Sequence, residues 1–507
     1  MNAHPYRRVA DLLTSRARGT GPTPNRMSSR DRQALARLDV LRSSAPVENV
    51  PLDEAPRRAR AVAAADAIGA RMLASALAAD PRGNAVAGPV GMALVLAMLY
   101  AGADAAGTGI GPALGFDEAE VRDEPLPGAR DRTWRAIQSC LQRFDTADAA
   151  ALEGFDPGAI PDSPLLHVAN NTLIIVDDDT RIKQSYVDAV RRWYGSEVGR
   201  IGSEGAKAAL DAWTALHTGG LIRRSAIRIT PDTRLVLQNA ILFAARWAKP
   251  FKAENTSKGA SFTRADGGRT RADMMHITGS FTLVKGEGWR ALRLPYATGA
   301  PDGAADAGAD IGDRPDGAGT GTGTVAGIGT VAGIGTVAGI GTGDRRGGAG
   351  LAMDIILPDA VASPADLPPS TWGAATRALN RAERLPRGDF DVIVGLPRLD
   401  LNPGAVDIIP LLEELGIGIW GLELSHIAPR LILEQAFQQT RLLVDEAGTV
   451  AASLTEAAFM RGAAHAAPRR TKRFICDHPY VLRVVDLDSG AAVFEAAVLD
   501  PARRGAR

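Results

Sequence analysis

Hydrophobic positions recur at helical spacing between Asp53 and Asp80, where Val62, Ala65, Ile68, Met72, Leu73 and Leu77 line one face of a predicted amphipathic helix beginning near Asp53. Asn84–Ala87 then reads as a short strand. Val90–Ala101 is apolar almost all round, which predicts a buried helix, and Pro89 suits its first turn. Helical patterns return at Arg132–Phe144 and Ile182–Tyr194. Val168–Val176 and Thr233–Phe243 are dense in Leu, Ile and Val and read as buried strands. The last third is strand-rich, at Val392–Leu396, Leu431–Val444, Phe474–Asp486 and Ala491–Val498. It holds one helix, Asp407–Leu415, which Gly416 is placed to end.

Two stretches break this pattern. Residues 1–56 are rich in Arg, Ser and Pro without sustained periodicity. Beyond a short helix in Arg30–Leu41 they read as disordered, so residues 1–52 are expected to be a tail ahead of a domain spanning 53–503. Between Tyr296 and Leu351 the chain becomes Gly-, Ala- and Asp-rich, and GTVAGI repeats at 323–328, 329–334 and 335–340. Residues 298–350 are therefore expected to be a flexible insertion. Its flanks, Trp289–Tyr296 and Leu351–Leu357, alternate like the two strands of a hairpin. At a hairpin tip a long insertion adds little, because loop-closure entropy grows slowly with length.

Charge and chemistry narrow the functions open to the chain. The 58 basic and 58 acidic residues cancel, although residues 1–60 hold twelve Arg against six Asp or Glu. A solvated tail accounts for that excess, and no interleaved aromatics point to nucleic acid. Cys140 and Cys476 alone make no disulfide framework, and none of the seven His sits in a metal-ligand spacing. No Gly-x-Ser-x-Gly elbow occurs. Cys476 and His478 share a strand face, but nothing nearby supplies an oxyanion hole, so Cys476 reads as a small core residue. The expectation is a protein that is not an enzyme and needs neither cofactor nor metal. The opening MNAHPYRRVADLLTSRARGTG lacks the apolar core of a secretion signal. The longest apolar run, Met92–Tyr100, falls short of the ~20 residues that span a bilayer. A cytoplasmic chain is expected, and an extracellular one stays open should the true amino terminus lie elsewhere.

The sharpest signal is Glu446-Ala447-Gly448-Thr449-Val450-Ala451-Ala452-Ser453, which follows the strand-like Leu442-Leu443-Val444 and leads through a long loop to Phe474-Ile475-Cys476-Asp477-His478-Pro479-Tyr480. This resembles the reactive loop and hinge of the serpin family, followed by the segment that returns the chain to the core. Other serpin signatures come in order: Asn84–Thr108, Asp211–Ile222, Leu237–Phe251 with Asn239, Trp247 and Phe251, Met274-Met275, Leu-Pro at 357–358 and 396–397, and Leu415-Gly416-Ile417. The chain is identified on these as similar to the bacterial, intracellular type of that family. The resemblance implies a mixed α+β fold with a central, mostly antiparallel sheet, further sheets, a helical cluster and an exposed reactive loop. It also implies a monomer that traps a trypsin-like or subtilisin-like serine protease as a suicide substrate, without nucleic acid or membrane. The alternative is a non-inhibitory binding or scaffold protein whose loop is merely cut.

In the mechanism the resemblance implies, the cleaved loop inserts as a new strand of the central sheet. Strand residues alternate faces, so Gly448 sets a register in which Thr449, Ala451, Ser453, Thr455 and Ala457 turn inward while Val450, Ala452, Leu454, Glu456 and Ala458 face out. The inward set is small or hydroxylated. Counting from Glu446 in the family's register puts the scissile bond among Arg461, Gly462 and Ala463. Arg461 is the apt anchor for an acidic pocket, and Arg469 or Arg470 are alternatives because the loop is longer than usual. Phe459 and Met460 suit a subtilisin-like or chymotrypsin-like target. The chain departs from the family at the gate under the sheet: Gly88-Pro89-Val90-Gly91 stands where Ser-Pro-x-Ser is usual, and Gln438 where His is usual. Asn239 and Gln438 are then the gate residues left to bond through side chains.

Overall fold

Four sheets organise the chain in the computed structural model, which describes residues 27–103, 108–116, 128–145, 147–176, 181–298, 350–368, 370–385, 390–418, 422–429, 431, 435, 437–450 and 470–503. The central sheet runs in the order β1 (Asp39–Val40), β4 (Glu197–Ile201), β3 (Leu165–Ile175), β5 (Leu235–Arg246), β16 (Gly448–Thr449), β15 (Leu442–Val444), β12 (Leu399–Leu401). Its neighbours are antiparallel except β3 and β4. A second sheet orders β2 (Ala85–Ala87), β19 (Ala492–Val498), β18 (Tyr480–Asp486), β10 (Leu351–Pro358), β9 (Trp289–Pro295) and β8 (Thr282–Gly286). A third orders β17 (Arg470–Ile475), β11 (Phe390–Pro397), β7 (Arg269–Gly279) and β6 (Thr256–Thr263), and a short ladder joins β13 (Ala405–Asp407) to β14 (Phe437–Gln439). The mixed α+β class is as the sequence implied.

Helices cover these sheets. Among the described residues they are α1 (Ser29–Ala36), α2 (Arg58–Ala79), α3 (Pro89–Gly102), α4 (Ile110–Ala113), α5 (Ala129–Gln142), α6 (Ala149–Glu153), α7 (Gln184–Tyr194), α8 (Ser203–His217), α9 (Ser370–Glu383) and α10 (Ile409–Glu414). Helix α3 is buried along nearly its whole length, as its all-round apolarity demands, and is the spine of the core. Helix α2 has the length and hydropathy of a membrane span, but Ala61, Ala65, Ile68, Met72 and Leu77 are buried in the same core. It begins at Arg58, not Asp53, because Pro56 and the left-handed Arg57 interrupt the chain after a 3-10 turn at Leu52–Glu54. Helix α10 ends as expected, with Gly416 at φ +72°.

The amino-terminal stretch corrects the expected tail. From Met27 to Val50 the chain is docked on the domain, while residues 1–26 lie outside the described residues. Ser28 and Asp31 cap α1 reciprocally. Met27, Ala34 and Leu35 pack on Ala208, Ala212 and Leu216 of α8, and Arg32 pairs with Glu153 at 2.7 Å. Asp39 and Val40 then extend the central sheet beside β4, and Glu48 binds Arg192 of α7 at 2.6 Å. A run without periodicity is thus ordered by small apolar contacts that only the folded partner supplies.

Two expected strands are divided. The described part of Leu431–Val444 splits into β14, which pairs with β13, and β15, which pairs with β12. Those partners are themselves separated by Asn402-Pro403-Gly404, where Pro403 lacks an N–H and Gly404 turns at φ +94°. Phe474–Asp486 breaks before Pro479 into β17 and β18, which belong to different sheets. The hairpin flanking the repeats is present, with Ala352 opposite Pro295 and Pro358 opposite Trp289. The insertion itself, 298–350, lies outside the described residues except at its two ends.

The second sheet carries a row of buried charges that the strand pattern conceals. Arg293, Asp354, Arg483 and Glu495 stand side by side across β9, β10, β18 and β19, none more than 1% exposed. Arg293 Nε donates to Asp354 at 2.6 Å and Arg483 Nε to Glu495 at 2.7 Å. Arg483 also donates to Asp66 of α2 and to Trp372 O and Thr376 of α9. Burial pushes the Glu495 carboxyl up to about 7, against the pull of Arg483. Removing one member of such a network strands the others without water. Arg483→Met is expected to destabilise the fold by about 3–5 kcal/mol in chemical denaturation, and a loss under ~1 kcal/mol would show that the network is dispensable.

Candidate functional site

The site is built on the far end of β5. There Trp247 stacks on Tyr296 with ring centroids 4.8 Å apart and donates its indole N–H to Asp445 O at 2.9 Å. Asp445 folds the following residues into a tight turn: its carboxylate accepts from Ala447 N at 2.9 Å and Gly448 N at 3.2 Å. Backbone bonds from Trp247 N to Ala447 O and from Phe251 N to Glu446 O, both 3.0 Å, clamp that turn onto β5. Glu446 is held by Arg398, whose Nε lies 2.8 Å from both carboxylate oxygens, and by Thr256 Oγ1. Burial works against the Glu446 charge, yet the hydrogen bonds from Arg398 and Thr256 hold its carboxyl below the usual range.

Beyond the turn, Gly448 and Thr449 slot between β5 and β15, opposite Arg246 and Ala245 on one side, with Thr449 opposite Val444 on the other. A Cβ on Gly448 would lie 2.1 Å from the Ala245 carbonyl oxygen, so only glycine fits. Thr449 is fully buried and its hydroxyl bonds the Tyr296 hydroxyl at 2.7 Å, which places it inward as the register predicted. Val450 turns to the opposite face, but that face is covered: it is 5% exposed and clusters with Leu152, Phe155, Leu165 and Leu242. Its φ of +76° is costly for a β-branched residue, on the order of 1–3 kcal/mol.

Past Thr449 the sheet is divided. Among the described residues β5 makes no ladder with β14 or β15 along Leu235–Ala244. A cavity of about 130 Å³ occupies the cleft, lined by Gln238, Asn239 and Ile241 of β5 and by Gln438 to Arg441. Helix α3 floors it through Gly88, Gly91 and Met92, and α8 walls it through Trp213, Thr214 and Thr218.

The two gate residues lie in this cleft but do not bond each other. Gln438 Oε1 accepts from Gly88 N at 2.7 Å while its Nε2 donates to Gly88 O at 3.0 Å. Asn239 Nδ2 donates to Asn170 Oδ1 at 2.8 Å and Ala169 O at 3.3 Å. A Cβ on Gly91 would come within 2.3 Å of Asn239 Oδ1, and one on Gly88 within 3.3 Å of Gln438 Nε2. The small residues at 88 and 91 and the amide at 438 therefore compensate one another, with backbone replacing hydroxyl as the bonding partner.

Of the residues singled out from sequence, the structure brings Asn239 and Gln438 to this cleft and places Glu446, Gly448 and Thr449 at the Ala245–Arg246 end of β5. Ala451, Ala452, Ser453, Arg461, Gly462 and Ala463 lie outside the described residues. Arg470 belongs to β17, paired with Phe390 of β11, so its backbone is tied into a sheet and it is a poor bait. Cys476 is fully buried, and burial pushes its thiol up, away from reactivity. Sequence reasoning missed Arg398, Tyr296 and Thr256. Arg398 follows a Leu-Pro pair that had been noticed, but its partner Glu446 lies 48 residues on, and nothing local links them.

A family model described as Serpin (serine protease inhibitor) matches residues 63–303 and 347–501. Serpin-Z2B of wheat (Triticum aestivum) is 24% identical over 455 residues, covering 85% of this chain and 94% of that one. An uncharacterized serpin-like protein of Thermococcus kodakarensis is 33% identical over 119 residues, covering 23% and 28%. Among solved structures, the thermophilic serpin tengpin in its native state aligns at a TM-score of 0.63 and 15% identity, covering 94% of this chain and all of that one. Thyroxine-binding globulin complexed with thyroxine aligns at 0.62 and 18%, covering 88% and 100%. These relatives lend no support to the bacterial type expected from sequence.

Gly448→Ala tests the slot. Its methyl must push the hinge off Ala245, which is expected to destabilise the chain by about 1–3 kcal/mol in urea unfolding. Parent-like stability would mean that Gly448 does not lie between β5 and β15.

Proposed function

The chain belongs to the serpin family, and from that premise we propose that it is a working inhibitor of serine-type proteases that acts as a suicide substrate. The carrying observation is the lodged hinge: Gly448 and Thr449 already occupy the first two positions of a strand between β5 and β15, at the end of a cleft in which no described residue forms a strand. A target serine attacks the carbonyl carbon at Arg461, forming an acyl-enzyme as the peptide bond to Gly462 breaks. The freed segment from Val450 to Ala458 then follows Thr449 into the cleft and drags the enzyme with it before water reaches the ester. In this reading Ala451, Ser453, Thr455 and Ala457 turn inward, and the chain performs no turnover of its own.

The same reading makes residues 298–350 an insertion at the tip of the β9–β10 hairpin and the chain a cytoplasmic monomer. A non-inhibitory binding protein is the second reading. It is favoured by the gate, where Gln438 is tied to the Gly88 backbone and not to Asn239.

Incubation with trypsin and denaturing electrophoresis separate the two. The inhibitor yields a covalent complex that survives denaturation; the binding protein yields only a cut chain. Ala451→Arg places an unpaired charge in the closing sheet. An added barrier of only ~1.4 kcal/mol slows insertion tenfold, so cleavage is expected to persist while the complex disappears. Arg461→Ala is expected to reduce attack by trypsin and to spare any trapping of a subtilisin-like enzyme through Phe459 or Met460. Undiminished trypsin complex from both variants would refute the register and the bait together.

A further inference from the structure

Helix α8 forms one wall of the cleft, and its carboxy-terminal end is fastened by a chain of side chains. His217, the last residue of α8, meets His167 of β3, with Nδ1 and Nε2 2.9 Å apart. The two ring planes lie within 9° of each other. On its other side His167 Nδ1 bonds Asp145 Oδ2 at 2.7 Å, just beyond the end of α5. His217 packs on Trp213 with ring centroids 4.5 Å apart. The other oxygen of Asp145 is buried without a hydrogen-bond partner, so His167 alone holds that carboxylate. Neither the gate nor the hinge uses these groups.

We propose that Asp145, His167 and His217 form an acid-released latch that ties the end of α8 to the central sheet and so sets how readily the sheet admits a strand. The proposal rests on the inhibitory reading only for its consequence, since the latch itself is a matter of α8 and β3.

Proton counting shows why acid opens it. With both rings neutral, His167 donates Nδ1–H to Asp145 and accepts Nδ1–H from His217. One further proton shared by the pair is tolerated, because a single N–H still bridges Nε2 and Nδ1. A second proton charges His217 as well. Two N–H groups then face each other across 2.9 Å, the bond is lost, and two cations repel. Burial and the neighbouring His167 depress the His217 imidazole to about 3 from an ordinary 6.5. A histidine lowered in the closed state holds the latch fully shut above the ordinary value, and acid opens it progressively between the two. At pH 5.0 the open form is favoured about 30-fold more than at pH 7.5.

Among the described residues, the charges on the elements nearest the latch are engaged elsewhere. Glu153 of α6 is bound by Arg32, and Asp148 caps α6 through Ala151 N. Arg143 beyond α5 binds Asp486 and Asp488, Lys207 and Asp211 of α8 bind each other, and β5 places Leu242 opposite His167. The link to the cleft is direct. Trp213, Thr214 and Thr218, which flank or hold His217, line the cavity, and Gln238 of β5 donates to Thr214 Oγ1 at 3.3 Å. A strand entering there presses on the latched end of α8.

Amide hydrogen exchange of the intact full chain at pH 7.5 and 5.0, corrected for the intrinsic pH dependence of exchange, reads the latch without any protease. Protection across Trp213–Thr218 is expected to fall about 30-fold in the parent, with β18 unchanged. In His217→Gln, which keeps an amide but cannot titrate, protection there should be low and the same at both pH values, and His167→Gln, which removes the bond to His217, should be less protected than the parent at pH 7.5. Thermal melts of both variants check that they fold. Parent protection that does not change with pH, or an equal fall in the parent and in folded His217→Gln, would overturn the proposal. Should exchange respond as expected while trypsin forms no covalent complex at either pH, the latch stands and the inhibitory reading fails.

Discussion

The structure turns on one unfinished ladder. Strand β5 is paired with β3 from Leu235 to Ala244 along one edge, but on the other, among the described residues, it meets a partner only at Ala245 and Arg246. Backbone N–H and C=O groups facing the cleft must be satisfied by water or left waiting, and each is worth about 0.5–1.5 kcal/mol when paired within a sheet. Such an edge is a template for a strand.

What restrains that ending is spread over the molecule. The Asp445 turn and the Glu446–Arg398 pair fix where the hinge enters, and Gly448 lets it approach the Ala245 carbonyl. Val450, left-handed and packed under Leu152 and Phe155, follows a β16 ladder of only two residues. Gln438 closes the far side by bonding the Gly88 backbone. Helix α8 walls the cleft through Trp213 and Thr214 and is itself packed by Met27 and α1, so two layers must yield before the sheet widens. Local strain and incomplete pairing favour the change, while these contacts oppose it.

How much of this was legible in the sequence follows from how local each signal is. The hinge was legible because alternation and a glycine are enough to set a register, and Thr449 points inward as they require. The gate was half legible. Gly88, Gly91 and Gln438 could be seen to depart from the family, but bonding to a backbone leaves no trace in residue identity. The charge row was hidden because Arg483 and Glu495 interrupt hydrophobic strands singly, and only the lateral register aligns them with Arg293 and Asp354. The docked segment was missed for the opposite reason: Ala34 and Ala212 carry no pattern until two helices meet. Helices α8 and α9 and the β6–β7 hairpin also escaped, since half-buried, polar-rich elements give weak periodicity.

The central claim is that β5 awaits a strand from its own chain. The most direct measurement is the melting temperature of the chain before and after a single clean cut between Phe459 and Gly462. Insertion completes the ladder on β5 and buries one face of the new strand, so the account predicts a substantially higher melting temperature for the cut chain. An unchanged or lower value after a clean cut would contradict it.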